Sequence, residues 1–316
     1  MHIPPSRCFS NLRLAVWIVN FEKGLPIPCS YAQKTIALPP HYLYIFMKKT
    51  PLICSLLYVT ISFNLTATAQ QNAKPSNPND HNLFSAGVAS SFIAGLYDAW
   101  YPYKQLKQHG DFGLGAPDRV DGELLLFKGN LYQTQYTGKT TQLADTGKTP
   151  YAIVCFFHPF KVYKHTGTLN KAAFYSYLDS LLTNQNGLYA IHISGKFKLV
   201  KARAFPPAKQ PYLPLAEMLN KQHFFDHTDM QGDMIGFRTP KFMEGPHIAG
   251  YHFHFLSADK VFGGHVVDLI AEDITVEVDL LNSYSMEMPQ TAVFNNFNFE
   301  KDRKEDIKSV ENGKKQ

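Results

Sequence analysis

Residues 250–268 read GYHFHFLSADKVFGGHVVD. His252 and His254 are two apart and alternate with Tyr251, Phe253 and Phe255, a strict period of two. Successive strand side chains point to opposite faces, so both imidazoles fall on one face and the aromatic rings on the other. A seven-residue stretch, Ser257–Gly263, then turns the chain toward a second β-type run at His265-Val266-Val267. Folded back as a hairpin, that run carries His265 to the face shared by His252 and His254. A single histidine on a strand is most often structural. Three converging from two strands instead suit a catalytic Zn²⁺, which takes three protein ligands and keeps a position open for water or substrate.

Moving outward from this hairpin, the sequence alternates strands with a few helices. Phe84, Val88, Phe92 and Leu96 recur at fours, which predicts an amphipathic helix over Phe84–Tyr97. HGDFGLG at His109–Gly115 reads as a glycine-rich turn, and no Lys-Ser/Thr follows it, which excludes a P-loop. Lys128-Gly129-Asn130 between Glu123–Phe127 and Leu131–Gln135 marks a hairpin, and Tyr151–Phe157 an apolar strand. A helix is expected over Leu169–Leu182, capped by Thr168, with Leu169, Ala172, Ala173, Leu178 and Leu181 facing inward. Leu188–Ile193 and Phe197–Ala202 read as a second hairpin across Ser194-Gly195. Downstream come a short helix from Leu215, a strand at Met234–Arg238 and a half-exposed strand at Ile274–Val278.

On composition alone, the highly charged stretch Phe299–Gln316 reads as a solvated tail. The proline-rich segment Pro206–Pro214 is the best boundary in the chain. The expected fold is therefore α+β or mixed α/β. It comprises two domains on mixed β-sheets, 70–205 and 206–316, with the metal site on a hairpin of the second.

The chain has 316 residues, 45 % of them apolar and 14 % aromatic, ample for a packed core. Its net charge of +5 does not indicate a nucleic-acid partner. Residues 1–69 hold six basic side chains and one acid, leaving 25 of each sign in 70–316. Residues 47–69 read as a secretory signal peptide. Met47-Lys48-Lys49 is the charged start, Pro51–Leu65 the apolar run and Ala67-Thr68-Ala69 the small-residue cleavage site. The run is too short and interrupted for a stable membrane span in the mature form. Residues 1–46 then read as an upstream extension from a misassigned start codon, with translation beginning at Met47 and the product exported. Of Cys8, Cys29, Cys54 and Cys155, only Cys155 follows the expected cut, so the fold uses no internal disulfide. Cys155 lies in an apolar strand and reads as a core residue rather than a nucleophile.

The runs GYHFHF and FGGHVVD, GFRTPKFMEG, HGDFGLGAPDRVDGELLLFKGNLYQ, TPYAIVCFF, LYAIHISGKFKLVKAR and AEDITVEVD resemble the alpha-acetolactate decarboxylases. The likeness runs from about Phe84 into the C-terminal region. It implies zinc held by His252, His254 and His265, decarboxylation of 2-acetolactate to (R)-acetoin, no organic cofactor, and a homodimer. It also implies roles for residues that periodicity leaves anonymous. Glu123, at the head of its strand, becomes a proton-handling carboxylate beside the metal. Arg203 becomes the cation that holds the substrate carboxylate and stabilises the developing enolate. A tail glutamate closes over the pocket. Glu311 is the nearest match, with Glu300 and Glu305 as alternatives. Arg238 and Thr239 are expected to support the pocket from a neighbouring strand.

Two rival classes weigh against this reading. Cupin-type metal enzymes also carry His-x-His on a strand, but they place a glutamate four or five residues after the second His. Ala258 and Asp259 stand there, and His265 follows after only eleven residues. A non-catalytic periplasmic zinc-binding protein often carries His-rich or acidic low-complexity loops, and this sequence contains none.

Overall fold

The structure is a computed structural model that describes residues 81–312. The expected upstream extension and signal peptide lie outside the described residues. Seven strands form the first sheet: β1 (Asn82–Ala86), β3 (Phe112–Ala116), β4 (Glu123–Phe127), β5 (Asn130–Thr134), β6 (Thr140–Gln142), β8 (Tyr151–Cys155) and β14 (Ser283–Glu287). Their order is β14-β1-β8-β3-β4-β5-β6, antiparallel except for β1 with β14. Strands β2 (Tyr101–Pro102) and β7 (Lys148–Thr149) make a small separate ribbon. The second sheet holds β9 (Lys161–Asn170), β10 (Leu188–Ala204), β11 (His223–Thr239), β12 (Gly250–Ser257) and β13 (Gly263–Leu281). Strand β10 pairs with both β11 and β13, while β12 joins β11 to β13, so the ladder closes on itself.

The two sheets share a core. Leu114, Leu125 and Ile153 of the first pack in one cluster with Ile235, Phe237 and Leu256 of the second. On the far side of the first sheet, Leu124, Leu126 and Val154 meet Tyr101, Tyr103 and Leu106. On the far side of the second, Phe253, Phe255 and Val276 meet Phe174 and Leu178 of the helix Lys171–Leu181. Strand β4 is covered on both faces, which explains its unbroken run ELLLF where a half-exposed strand would alternate. Each of these buried aliphatic or aromatic side chains contributes roughly 1.5–3 kcal/mol.

Several expectations need correction. The boundary at Pro206–Pro214 does not divide the sheets, because β9 and β10 precede it and belong to the second sheet. The predicted helix at Phe84–Tyr97 is strand β1 followed by a short helix, Ala89–Ile93. Gly87 separates them at φ +83°, where a Cβ would come 2.9 Å from the Pro150 carbonyl oxygen. HGDFGLG is largely a strand rather than a turn. A Cβ on Gly113 or Gly115 would meet the Ile153 or Tyr151 carbonyl of β8 within 2.4 Å, so these glycines serve close strand approach. The hairpin expected across Ser194-Gly195 is one continuous strand, β10, with a register irregularity after Gly195. Asn170, not Thr168, caps the helix by accepting from the Ala173 amide, and Leu169 belongs to β9 while Ala172 is exposed. The Lys128-Gly129 hairpin is present, with both residues at positive φ as a tight two-residue turn requires.

Candidate metal centre

The decisive hairpin forms as its periodicity predicts. His254 of β12 is directly opposite His265 of β13, and Phe253 and Phe255 point to the other face. His265 is in turn opposite Arg203 of β10. Arg203, His265 and His254 therefore form one row across three strands, and His252 lies two residues along the same face as His254. Gly263 and Gly264 permit the tight return. Gly264 sits at φ +128°, and a Cβ on Gly263 would come 2.6 Å from the Phe255 carbonyl oxygen.

The three imidazoles are buried, His252 keeping 9 % of its surface exposed, His254 2 % and His265 3 %. One ligand atom from each fits within 4.8 Å of the others, and His252 Nε2 is 3.1 Å from His265 Nδ1. His254 Nδ1 is 2.9 Å from the Leu124 carbonyl oxygen, so that nitrogen carries the proton and Nε2 keeps its lone pair. Burial first, with the Arg203 charge and the neighbouring imidazoles adding to it, holds His252 and His265 well below the usual histidine range. Burial and Arg203 lower His254 to about 3. Imidazoles kept neutral at any ordinary pH are the form that binds a cation, so the donor set fits a metal ion.

Three further groups complete the site. Glu123 reaches over from the first sheet, with Oε2 3.4 Å from His254 Nε2. Its Oε1 accepts from Arg203 Nη1 at 2.9 Å. Arg203 Nη2 donates to the Val310 carbonyl oxygen at 3.1 Å, and the guanidinium lies over the Phe205 ring. Glu311, in the C-terminal helix Lys304–Asn312, places Oε2 3.8 Å from His265 Nε2. The tail is thus a helix anchored through Ile307 and Val310 in the shared core, not a solvated end. Among the tail glutamates, Glu300 and Glu305 are exposed and Glu311 alone enters the cavity. Burial raises Glu123 to about 7 against the opposing pull of Arg203. Burial also raises Glu311 to about 8, with Arg203 opposing and Glu123 reinforcing.

The histidines, Glu123, Arg203 and Glu311 line one cavity whose remaining wall is mostly apolar, including Phe92, Ile93, Leu215 and Ile248. Arg238 and Thr239 are not in it. They line the groove outside Glu311, where Arg238 donates to the Asn184 and Gln185 carbonyls. Sequence reasoning missed Tyr151 as a site residue: it lines the cavity from β8, and its only signals are its place in an apolar strand and in the run TPYAIVCFF.

The profile of the alpha-acetolactate decarboxylase family matches residues 83–301. The chain belongs to that family. It is 32 % identical over 250 residues to the alpha-acetolactate decarboxylase of Methanosarcina mazei, covering 78 % of this chain and 87 % of that protein. It is 32 % identical to the alpha-acetolactate decarboxylase of Methylococcus capsulatus, over 75 % of this chain and 92 % of the relative. The crystal structure of alpha-acetolactate decarboxylase from Bacillus subtilis strain 168 superposes with a TM-score of 0.71 at 31 % identity, covering 73 % of this chain and 99 % of that one. The relatives are carboxy-lyases by name. Within this decarboxylase-family chain, Glu123, Arg203 and the three histidines fall inside the matched span, and Glu311 falls beyond it.

Proposed function

We propose that this protein decarboxylates 2-acetolactate to (R)-acetoin and CO₂, with zinc held by His252, His254 and His265. The observation that carries this reading is the convergence of three neutral imidazoles, two carboxyl groups and a buried guanidinium in one cavity of an acetolactate decarboxylase-family chain. When bound, the metal supplies Lewis-acid polarisation of the substrate's adjoining carbonyl and hydroxyl oxygens. Every other function is met by the chain's own side chains.

Arg203 is a fixed positive charge in a water-poor cavity. It attracts the substrate carboxylate and stabilises the charge that appears as the carbon–carbon bond to CO₂ breaks and its electron pair stays on the substrate. Glu123, with its pKa raised to about 7, is poised to take the substrate's hydroxyl proton near neutral pH. Glu311, raised to about 8, remains largely protonated there and can return a proton to the carbon that CO₂ leaves. Delivery from one fixed side gives a single enantiomer. Ile307 and Val310 hold the helix that carries Glu311 over the cavity and keep water out.

Metal-loaded protein given 2-acetolactate should release CO₂ and (R)-acetoin, read by chiral chromatography. Absence of acetoin from fully loaded protein would overturn the assignment. The same reading includes export through a signal peptide starting at Met47, tested by sequencing the secreted N-terminus, which should begin near Gln70. It also includes a homodimer, tested by sedimentation.

A further inference from the structure

Tyr151 is the first residue of β8 and is 2 % exposed. Its backbone is fixed by Thr149, whose hydroxyl oxygen accepts from the Tyr151 amide and whose proton is shared between the Ala116 and Tyr151 carbonyls at 2.7 and 2.8 Å. Its ring stacks on Phe92 with centroids 5.6 Å apart. The ring is therefore held through both its backbone and its face. The hydroxyl is different. It is buried and has no hydrogen-bond partner among the described residues. Buried hydroxyls are nearly always bonded, because leaving one unpaired is costly. This one lines the same cavity as the three histidines, Glu123, Arg203 and Glu311.

Among the residues lining that cavity, one other buried donor also lacks a partner, Arg203 Nε. Both Nη atoms of Arg203 are already engaged, one by Glu123 and one by the Val310 carbonyl. Both of these unpartnered atoms can donate, and acceptor oxygens of a ligand in the cavity would satisfy them. We propose that the Tyr151 hydroxyl is a substrate-binding group that donates a hydrogen bond to a carboxylate oxygen of a small 2-hydroxy acid. Arg203 Nε supplies the charged partner donor. The proposal rests on the reading above and names a contact that reading leaves open. Burial first, with Tyr284 and Glu311 adding to it, pushes the Tyr151 hydroxyl up in pKa, so it stays protonated and acts as a donor, not as an acid.

The test is Tyr151→Phe, which removes the oxygen and keeps the ring on Phe92. A hydroxyl that serves only ligand is not missed by the fold, so the melting temperature of the variant should equal or exceed that of the unmodified protein. Its kcat/KM for 2-acetolactate should fall by roughly 10–100-fold. Calorimetric titration of the metal-loaded protein with 2-hydroxy-2-methylpropanoate, an inert 2-hydroxy acid, should show roughly tenfold weaker binding in the variant. Titration with acetoin, which has no carboxylate, should show no change. Unchanged binding and turnover would overturn the proposal and leave the hydroxyl a holder of cavity water. A lower melting temperature with unchanged hydroxy-acid binding would overturn it in favour of a structural role. If the unmodified protein makes no acetoin while the variant still binds the hydroxy acid less tightly, the reaction assignment fails and this contact stands.

Discussion

Arg203 Nη1 donates to Glu123 Oε1 across 2.9 Å, joining the last turn of β10 in one sheet to the head of β4 in the other. The Arg203 side chain is buried and that of Glu123 is 11 % exposed, and the pair sits against the His254 imidazole through Glu123 Oε2. It is at once a link between the sheets and the boundary of the candidate metal centre. Removing Glu123 leaves the Arg203 charge without its counter-ion, and removing Arg203 takes away the pull that opposes burial of the Glu123 carboxyl and leaves it protonated without its donor, so structure and chemistry are coupled at this point.

Replacing Glu123 by Gln keeps the shape and removes the base. Turnover should fall by roughly 10²–10⁴-fold if Glu123 carries the proton. Metal content, measured on the same sample, separates two roles. Retained metal marks a proton-transfer group, and lost metal makes Glu123 a direct ligand. Arg203→Lys should lose less turnover, since a point charge offers part of the stabilisation without the planar fork. Arg203→Ala should cost about 1–3 kcal/mol of stability in a denaturant melt, because it leaves the Glu123 carboxyl, by then protonated, without its hydrogen-bond donor.

Much of this candidate centre is legible in the sequence. The alternation of His252 and His254 with Phe253 and Phe255 can mean only one arrangement of faces once the segment is a strand, and a short return limits where His265 falls. The long strands were harder to see. In β10 a glycine at position 195 mimics a turn, yet the chain runs straight through with a bulge. In β3 the glycines exist for contact with β8, a reason visible only when the neighbouring strand is in place. Phe84, Val88 and Phe92 satisfy a helical period by coincidence, since the residues between them are buried too. Glu311 was the hardest, because its helix is polar by composition and only Ile307 and Val310 dock.

The C-terminal helix gives a second prediction. Removing residues 304–316 takes Ile307 and Val310 from the core, removes Glu311 and deprives Arg203 Nη2 of the Val310 carbonyl. A loss of about 3–6 kcal/mol in stability is expected from the two apolar side chains. Turnover should collapse further than stability accounts for, and Glu311→Gln alone should reproduce most of that loss while melting near the unmodified protein. Equal activity of Glu311→Gln would remove the tail carboxyl from the reaction.

The third prediction concerns pH and the metal-free protein. Folding raises Glu123 to about 7 and Glu311 to about 8, so the folded state binds more protons than the unfolded chain above the usual glutamate range. Stability linked to them is present at low pH and is lost as pH rises through 7 and 8. The histidines act in the opposite sense. Held neutral in the fold, they weaken it only below about 6.5, where the unfolded chain becomes protonated. Between pH 6.5 and 8 the carboxyls alone operate, and the metal-free melting temperature should rise as pH is lowered across that window. Glu311→Gln should flatten the slope. A melting temperature that rises with pH there would show that these carboxyls are already ionised in the fold.

The most direct test is a metal titration followed by turnover on one preparation. Protein stripped with a chelator should make no acetoin from 2-acetolactate, and added Zn²⁺ should restore activity in proportion to bound metal, saturating at one ion per chain. His252→Ala, His254→Ala and His265→Ala should each fail to bind the ion and fail to turn over. Full acetoin production by the stripped protein, or normal loading and turnover in any one of the three variants, would contradict a catalytic metal held by this histidine trio.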